Sequence, residues 1–182
     1  MHRCVTKNPL PFCHRSNHHF FCFSFHNLTL QGRIPTEFGQ LSSNMDILRL
    51  DGNQLSGSIP KEFCSLTNSR LLDLSSNALT GPLPTTELLQ LQRLQQFKVS
   101  KNRLTGPIPS QLGSLPSLRL AWLHLNQFTG AVPNEVCEAT SIPDTGLIFL
   151  QADCAPIDNP PNSCRCCTSC CDRSTDICLA SR

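Results

Sequence analysis

No stretch of the 182-residue chain approaches the roughly 20 consecutive apolar residues that cross a bilayer as a helix. The last residues, Cys178-Leu-Ala-Ser-Arg182, lack the apolar tail of a lipid-anchor signal. The first residues, Met1-His-Arg-Cys-Val, lack the continuous apolar core of a secretory leader. Charge is sparse: charged residues make up 15% of the chain and the net charge is +2, too weak to draw it to nucleic acid or a membrane surface. Tyrosine is absent and tryptophan occurs once, at Trp122. Catalytic constellations are missing too. The sequence shows no Ser/His/Asp order, phosphate loop or paired-carboxylate motif, and acid–base catalysis needs partners placed together. These absences point away from an enzyme, a nucleic-acid binder and a transmembrane segment in this chain, and no cofactor is implied.

Cysteine is abundant. Twelve thiols in 182 residues favour an oxidising compartment and disulfides. The missing leader conflicts with that reading unless residues 1–19 begin a truncated chain or are not native coding sequence, which is the expectation here. The protein is then extracellular or on the cell surface. Residues 1–19 are expected to be a disordered extension. His2, His14, His18, His19 and His26 lie in or beside this segment with Cys4, Cys13 and Cys22, but no pair has the tight spacing of a zinc site.

A repeat organises the remainder. Asn53-Gln-Leu-Ser-Gly-Ser-Ile-Pro60 returns as Asn77-Ala-Leu-Thr-Gly-Pro-Leu-Pro84, Asn102-Arg-Leu-Thr-Gly-Pro-Ile-Pro109 and Asn126-Gln-Phe-Thr-Gly-Ala-Val-Pro133. The asparagines stand 24, 25 and 24 residues apart, a period that means stacked supersecondary units. Before each Asn runs a short alternating segment, Leu48/Leu50, Leu72/Leu74, Phe97/Val99 and Ala121/Leu123, read as a strand with one face inward. The Asn amide can both donate and accept at the bend that follows. The Gly allows a turn other residues resist, and the Pro fixes an extended return. Phe38, Phe63, Leu112 and Val136, each three residues past a Pro, read as a helical turn facing the same core.

The pattern Leu-x-x-Leu-x-Leu-x-x-Asn-x-Leu-x-Gly-x-Ile-Pro resembles the plant-type leucine-rich repeat (LRR) family, in particular receptor-like kinase ectodomains and polygalacturonase-inhibiting proteins. The resemblance implies an α/β solenoid: a horseshoe with short parallel strands on its concave face and irregular or 3-10 helical turns on its convex face. It also implies binding rather than a reaction. The repeats cover residues 20–142, about five in number, followed by a cap strand over 143–158 and a Cys-rich tail over 159–182. Phe20, Phe23 and Phe25 fill the apolar slots of a degenerate first repeat, with Leu28 in the Asn slot.

Two outward columns follow from the alternation. One is Ser24, Arg49, Asp73, Lys98 and Trp122; the other is His26, Asp51, Ser75, Ser100 and His124. Arg49, Asp51, Asp73, Lys98, Trp122 and His124 are the candidate ligand-binding residues. The rival reading of Arg49, Asp73 and Lys98 is a solvated charge ladder, and that of Trp122 is packing against the cap. His124 lies two or three rungs from Asp51 and Asp73, on the order of 10 Å or more, too far for an acid–base pair. Cys64 reads as an apolar filler. Asn27-Leu-Thr29 is the one Asn-x-Ser/Thr sequon without Pro, so Asn27 is a candidate glycosylation site.

Ile148-x-Leu150-x-x-Asp153 reads as the last strand, with Asp153 in the Asn slot. Cys137 and Cys154 bracket it, and a bridge between them is the natural pairing. Cys164, Cys166, Cys167, Cys170, Cys171 and Cys178 follow and are expected to form disulfides, with a soft-metal thiolate cluster as the rival. The run from Ala152-Asp-Cys154 to Cys166-Cys167-Thr-Ser-Cys170-Cys171 resembles the C-terminal cap of LRR proteins of unicellular algae, diatoms in particular. The overall reading is a non-enzymatic recognition module. Its partner is a protein, peptide or cell-wall glycan held on the concave face, with a co-receptor if it signals. The alternative is an inhibitor of a secreted wall-degrading enzyme. A surface protein contacting ice or mineral is less favoured, since only Thr80, Thr105 and Thr129 line up.

Overall fold

The computed structural model describes residues 21–41, 45–141, 146–153, 166–172 and 177–180. Its main sheet has eight strands in the order β1 (Phe21–Ser24), β3 (Met45–Arg49), β5 (Leu71–Asp73), β7 (Gln96–Lys98), β9 (Leu120–Trp122), β11 (Phe149–Asp153), β12 (Ser169–Asp172) and β13 (Ile177–Ala180). All neighbours pair in parallel except β12 and β13, which form an antiparallel ribbon. One strand per period, each beside its predecessor, is what a 24-residue repeat requires when no single strand can bury its face alone.

The inward residues merge into one core. Leu48, Leu50, Leu72, Leu74, Phe97, Val99, Ala121, Leu123, Leu150 and Ala152 come from the strands, and all are buried. Opposite them lie 3-10 turns at Thr36–Leu41, Lys61–Ser65, Glu87–Gln90 and Ser110–Ser114, with the short helix α1 (Asn134–Ala139) after the last repeat. The turns bury Phe63 and Leu112 and α1 buries Val136, each three residues past a Pro as expected; after Pro84 the buried residue is Leu88, one position later, because Glu87 holds the third place. Phe38 stacks on Phe63 with ring centres 6.0 Å apart. Phe23 and Phe25 pack on the core from the first rung; Phe20 lies outside the described residues.

A second, five-stranded sheet runs down one flank, in the order β10 (Gln127–Thr129), β8 (Arg103–Pro107), β6 (Ala78–Gly81), β4 (Gln54–Gly57), β2 (Gln31–Arg33). The alternation rule does not reveal it, because each strand is only three to five residues and exists through its neighbours. The repeat glycine leaves it at φ between 77° and 90° in every copy, the conformation that no other residue adopts as cheaply.

Between the two sheets stands the asparagine ladder. The Asn102 Nδ2 amide donates to the carbonyls of Val99 on its own rung and Leu74 on the previous one, both at 3.0 Å. Its Oδ1 accepts the backbone N–H of Leu79, also at 3.0 Å. Asn126 repeats this with Leu123, Val99 and Leu104; Asn77 with Leu74, Leu50 and Leu55; Asn53 with Leu50, Phe25, Leu28 and Leu30. Each side chain thus satisfies buried backbone on two rungs at once. Asp153 ends the series in the same slot. A carboxylate cannot donate, so it accepts twice, from the N–H groups of Leu125 at 2.5 Å and Asn126 at 3.1 Å.

The cap differs from expectation in one pairing. Cys137, on α1, bonds to Cys166, with Cα atoms 5.2 Å apart, and not to Cys154. The reason is topological: β12 adds to the main sheet beside β11, and this brings Cys166, three residues before β12, back to Cys137 on α1. Crosslinking across 29 residues stabilises by about 3.5 kcal/mol in the chain-entropy model. Cys167 is also in a disulfide. Cys154 and Cys164 lie outside the described residues, and Cys170, Cys171 and Cys178 sit on β12 and β13. Cys64 is a free, buried thiol, as its filler role requires. Burial, with Glu87 and Glu62 nearby, pushes its pKa up to about 12, so it stays neutral and unreactive.

Replacing Asn102 by Ala strands the buried Leu79 N–H and takes one of two amide donors from each of the Leu74 and Val99 carbonyls, which keep Asn77 and Asn126. At ~1–3 kcal/mol for the unsatisfied N–H plus about 1 kcal/mol for each lost hydrogen bond, Asn102→Ala should lower unfolding free energy by roughly 3 kcal/mol, readable as a shift in urea midpoint.

Candidate functional site

The outward face of the main sheet carries three columns. Strand register places Arg49, Asp73, Lys98, Trp122 and Gln151 side by side on successive rungs. A second column, two residues further along each strand, runs Asp51, Ser75, Ser100, His124 to Asp153. The third is not among the two expected from the sequence. Ile47, Leu71, Gln96, Leu120 and Phe149 pair rung to rung two residues before the charged column. Ile47 is buried and the other four are half-buried, so a stripe that is apolar except at Gln96 borders the charged one. The signal is present in the sequence: alternation that turns Asp73 outward turns Leu71 outward as well.

Within the charged column the contacts are specific. Arg49 grips Asp51 on its own strand through Nε and Nη2, at 3.0 and 3.1 Å. This bidentate fork commits the guanidinium along the strand instead of across to Asp73. Asp73 is 5% exposed, and one carboxylate oxygen accepts the Ser75 N–H at 3.1 Å. Lys98 approaches that carboxylate at 4.0 Å and lies 4.3 Å above the Trp122 ring. Phe149 meets Trp122 edge-on with ring centres 6.5 Å apart. Trp122 is therefore half-buried, with one face under an ammonium and an edge against the cap strand. Its indole Nε1 is buried without a hydrogen-bond partner among the described residues. His124 is buried, and Ser75 and Ser100 below it share a hydrogen bond at 3.2 Å.

So the structure joins Asp73, Lys98 and Trp122 into one chain of contacts, pairs Arg49 with Asp51, and sets His124 on the neighbouring column. Asp73 and His124 are both buried, so Asp73 is not the solvated member that a charge ladder of Arg49, Asp73 and Lys98 would have it. Burial raises the Asp73 pKa above the ordinary carboxylate range, the nearby Asp51 adds to this, and the Ser75 hydrogen bond and Lys98 oppose it. Spacing alone does not reveal a further pair: Arg70 clamps Asp46 of the preceding rung with two bonds of 2.6 Å at the strand entrance. Asp46 is buried, so this contact fixes β3 against β5. Among the described residues no group of three or more His, Cys, Asp or Glu is placed to hold a metal ion, and no helix is long and apolar enough to cross a membrane. The histidines before residue 21 lie outside the described residues.

Comparison with known proteins decides the family. The model described as Leucine Rich Repeat matches residues 44–66 and 93–115. The BIR3–SERK2 complex of Arabidopsis thaliana contains a chain 33% identical, covering 78% of this chain and 72% of that one, at a TM-score of 0.62. The chain belongs to the plant-type leucine-rich repeat family. The BIR2 ectodomain of Arabidopsis thaliana is 33% identical over 63% of this LRR chain and 59% of its own, with a TM-score of 0.59. The Arabidopsis receptor kinase HAESA, solved with the peptide hormone IDA and the co-receptor SERK1, is 27% identical over 83% of this chain and 26% of its own, with a TM-score of 0.60. The LRR chain thus spans 59% of the BIR2 chain and about a quarter of the HAESA chain. No curated protein sequence matches it. The LRR solenoid, with parallel strands facing one side and 3-10 turns the other, is the expected fold, and these solved relatives are plant receptor ectodomains or their complexes.

Asp73 gives a pH test. Its folded-state pKa is raised, so the native state holds the proton more tightly than the unfolded chain. Its favourable contribution is complete below the unfolded value near 3.8 and is lost as pH rises through the folded value. Asp73→Asn should therefore melt higher than the wild type at pH 7, with the difference shrinking as pH falls toward 4, measured by thermal unfolding across that range.

Proposed function

We propose that this chain is a non-enzymatic, receptor-like recognition module of the cell surface or extracellular space, and that it captures a peptide or protein segment on the concave face of its main sheet. The observation that supports this reading most is Asp73. A carboxylate held at 5% exposure, at a cost in stability near neutral pH, is a poor choice for a merely structural surface. It stands beside Lys98, which in turn lies over Trp122, and the neighbouring column carries Leu71, Gln96, Leu120 and Phe149. Alternating apolar and charged columns suit an extended chain whose side chains alternate in the same way. Arg49 and Asp51 would bind its polar groups at one end, and His124 at the other. HAESA was solved with a peptide hormone and a co-receptor bound, which favours the same class of partner here.

Peptides selected against the wild-type chain from a random display library supply the probe. Arg49→Glu combined with Trp122→Ala should weaken them by roughly 30-fold or more, the size of a hot-spot loss of about 2 kcal/mol. Unchanged affinity would remove the concave face from the account. Selection of cell-wall oligosaccharides alone would replace the peptide with a glycan. Inhibition of secreted wall-degrading enzymes by the wild type, lost in the double variant, would favour the inhibitor reading.

A further inference from the structure

The first rung departs from the ladder by one residue. In the later rungs the residue before the ladder asparagine takes a left-handed conformation: Gly52 at φ 68°, Ser76 at 55°, Lys101 at 56° and Leu125 at 57°. The asparagine itself turns inward; Asn53, Asn102 and Asn126 are 8%, 9% and 3% exposed. In the first rung Leu28 occupies the ladder slot. Asn27 occupies the left-handed position, at φ 55°, and its side chain is exposed. Asparagine tolerates this conformation better than most residues.

That shift has a chemical consequence. A sequon needs a hydroxyl residue two positions after its asparagine. For every ladder asparagine that position is a core residue, Leu55, Leu79, Leu104 or Phe128, and all four are buried. Moving the asparagine back by one moves the second position outward as well. It is filled by Thr29, which is exposed. The Asn27 backbone is fixed by its N–H bond to the Asp51 carbonyl, at 3.0 Å, and its Oδ1 lies over the Cα of Gly52, where any Cβ would collide with it. Around it are Leu28 at 53% exposure, Leu30 at 37%, and β2, exposed along its length at the end of the second sheet. An apolar surface beside a strand at the end of a sheet invites association.

We propose that Asn27 carries an N-linked oligosaccharide that covers Leu28, Leu30 and the edge of β2. The donor class is a lipid-diphosphate-linked oligosaccharide. The Asn27 Nδ2 forms a bond to the anomeric carbon and loses one proton, while the carbon–oxygen bond to the diphosphate breaks and the lipid diphosphate leaves with that electron pair. The proposal rests on the extracellular reading, since this chemistry belongs to the secretory route.

The test is peptide mapping by mass spectrometry of the full chain isolated from the cells that make it, before and after amide-cleaving glycosidase. The expected result is one glycan at Asn27, with aspartate left at position 27 after cleavage. Thr29→Ala should abolish it while keeping Asn27, and Thr29→Ser should keep it, so a folding defect in Asn27→Gln does not blur the outcome. Secreted, disulfide-bonded protein with bare Asn27 would overturn the site and leave the extracellular reading standing. Protein retained in the cytosol with reduced cysteines would overturn both. Deglycosylated protein should elute as a larger species on sizing; no change in elution would overturn the shielding role.

Discussion

Everything in this protein hangs on a side chain that can give and take hydrogen bonds at one depth. A solenoid must bend its backbone between two sheets inside the structure, and the bend strips N–H and C=O groups of water. Asparagine is the residue that repairs both kinds of loss, with two donors and an acceptor on one short arm. Its repetition at Asn53, Asn77, Asn102 and Asn126 ties each rung to the one before, so the ladder is also the stacking device. The strained left-handed residue just ahead of each is the cost of that geometry, of order 1 kcal/mol or more per non-glycine residue.

Stacking then dictates the surface. Once the rungs are in register, side chains two residues apart on the strand become separate columns, and chemistry at one rung is read beside chemistry at the next. Asp73, Lys98 and Trp122 are 25 and 24 residues apart in sequence yet form one chain of contacts. The outward face owes its pattern to the ladder beneath it. The cap completes the same logic: Asp153 closes the acceptor side of the ladder, β12 and β13 extend the sheet, and the Cys137–Cys166 bridge fastens that extension to the turn side.

The period, the inward leucines, the turns after each proline and the outward columns are legible in the sequence because each depends on spacing alone. The Asn53-to-Pro60 repeat carries all of them. Four features are not legible. The second sheet has strands too short to show a pattern and exists only through its neighbours. Arg49 has two carboxylates in reach, Asp51 two residues on and Asp73 on the next rung, and the choice between them is made only in the folded chain. The burial of Asp73 and His124 depends on neighbours from other rungs. The partner of Cys137 depends on where the tail adds to the sheet, and nothing in the spacing of the later cysteines shows that β12 pairs with β11.

The central claim is that the ladder makes the rungs a single cooperative stack. Native-state hydrogen exchange tests it at the amides the asparagines hold: Leu55, Leu79 and Leu104. These should exchange at one common slow rate, set by global unfolding. Graded rates, or exchange as fast as that of exposed loop amides, would mean that the rungs open independently and that the ladder is not what holds the stack together.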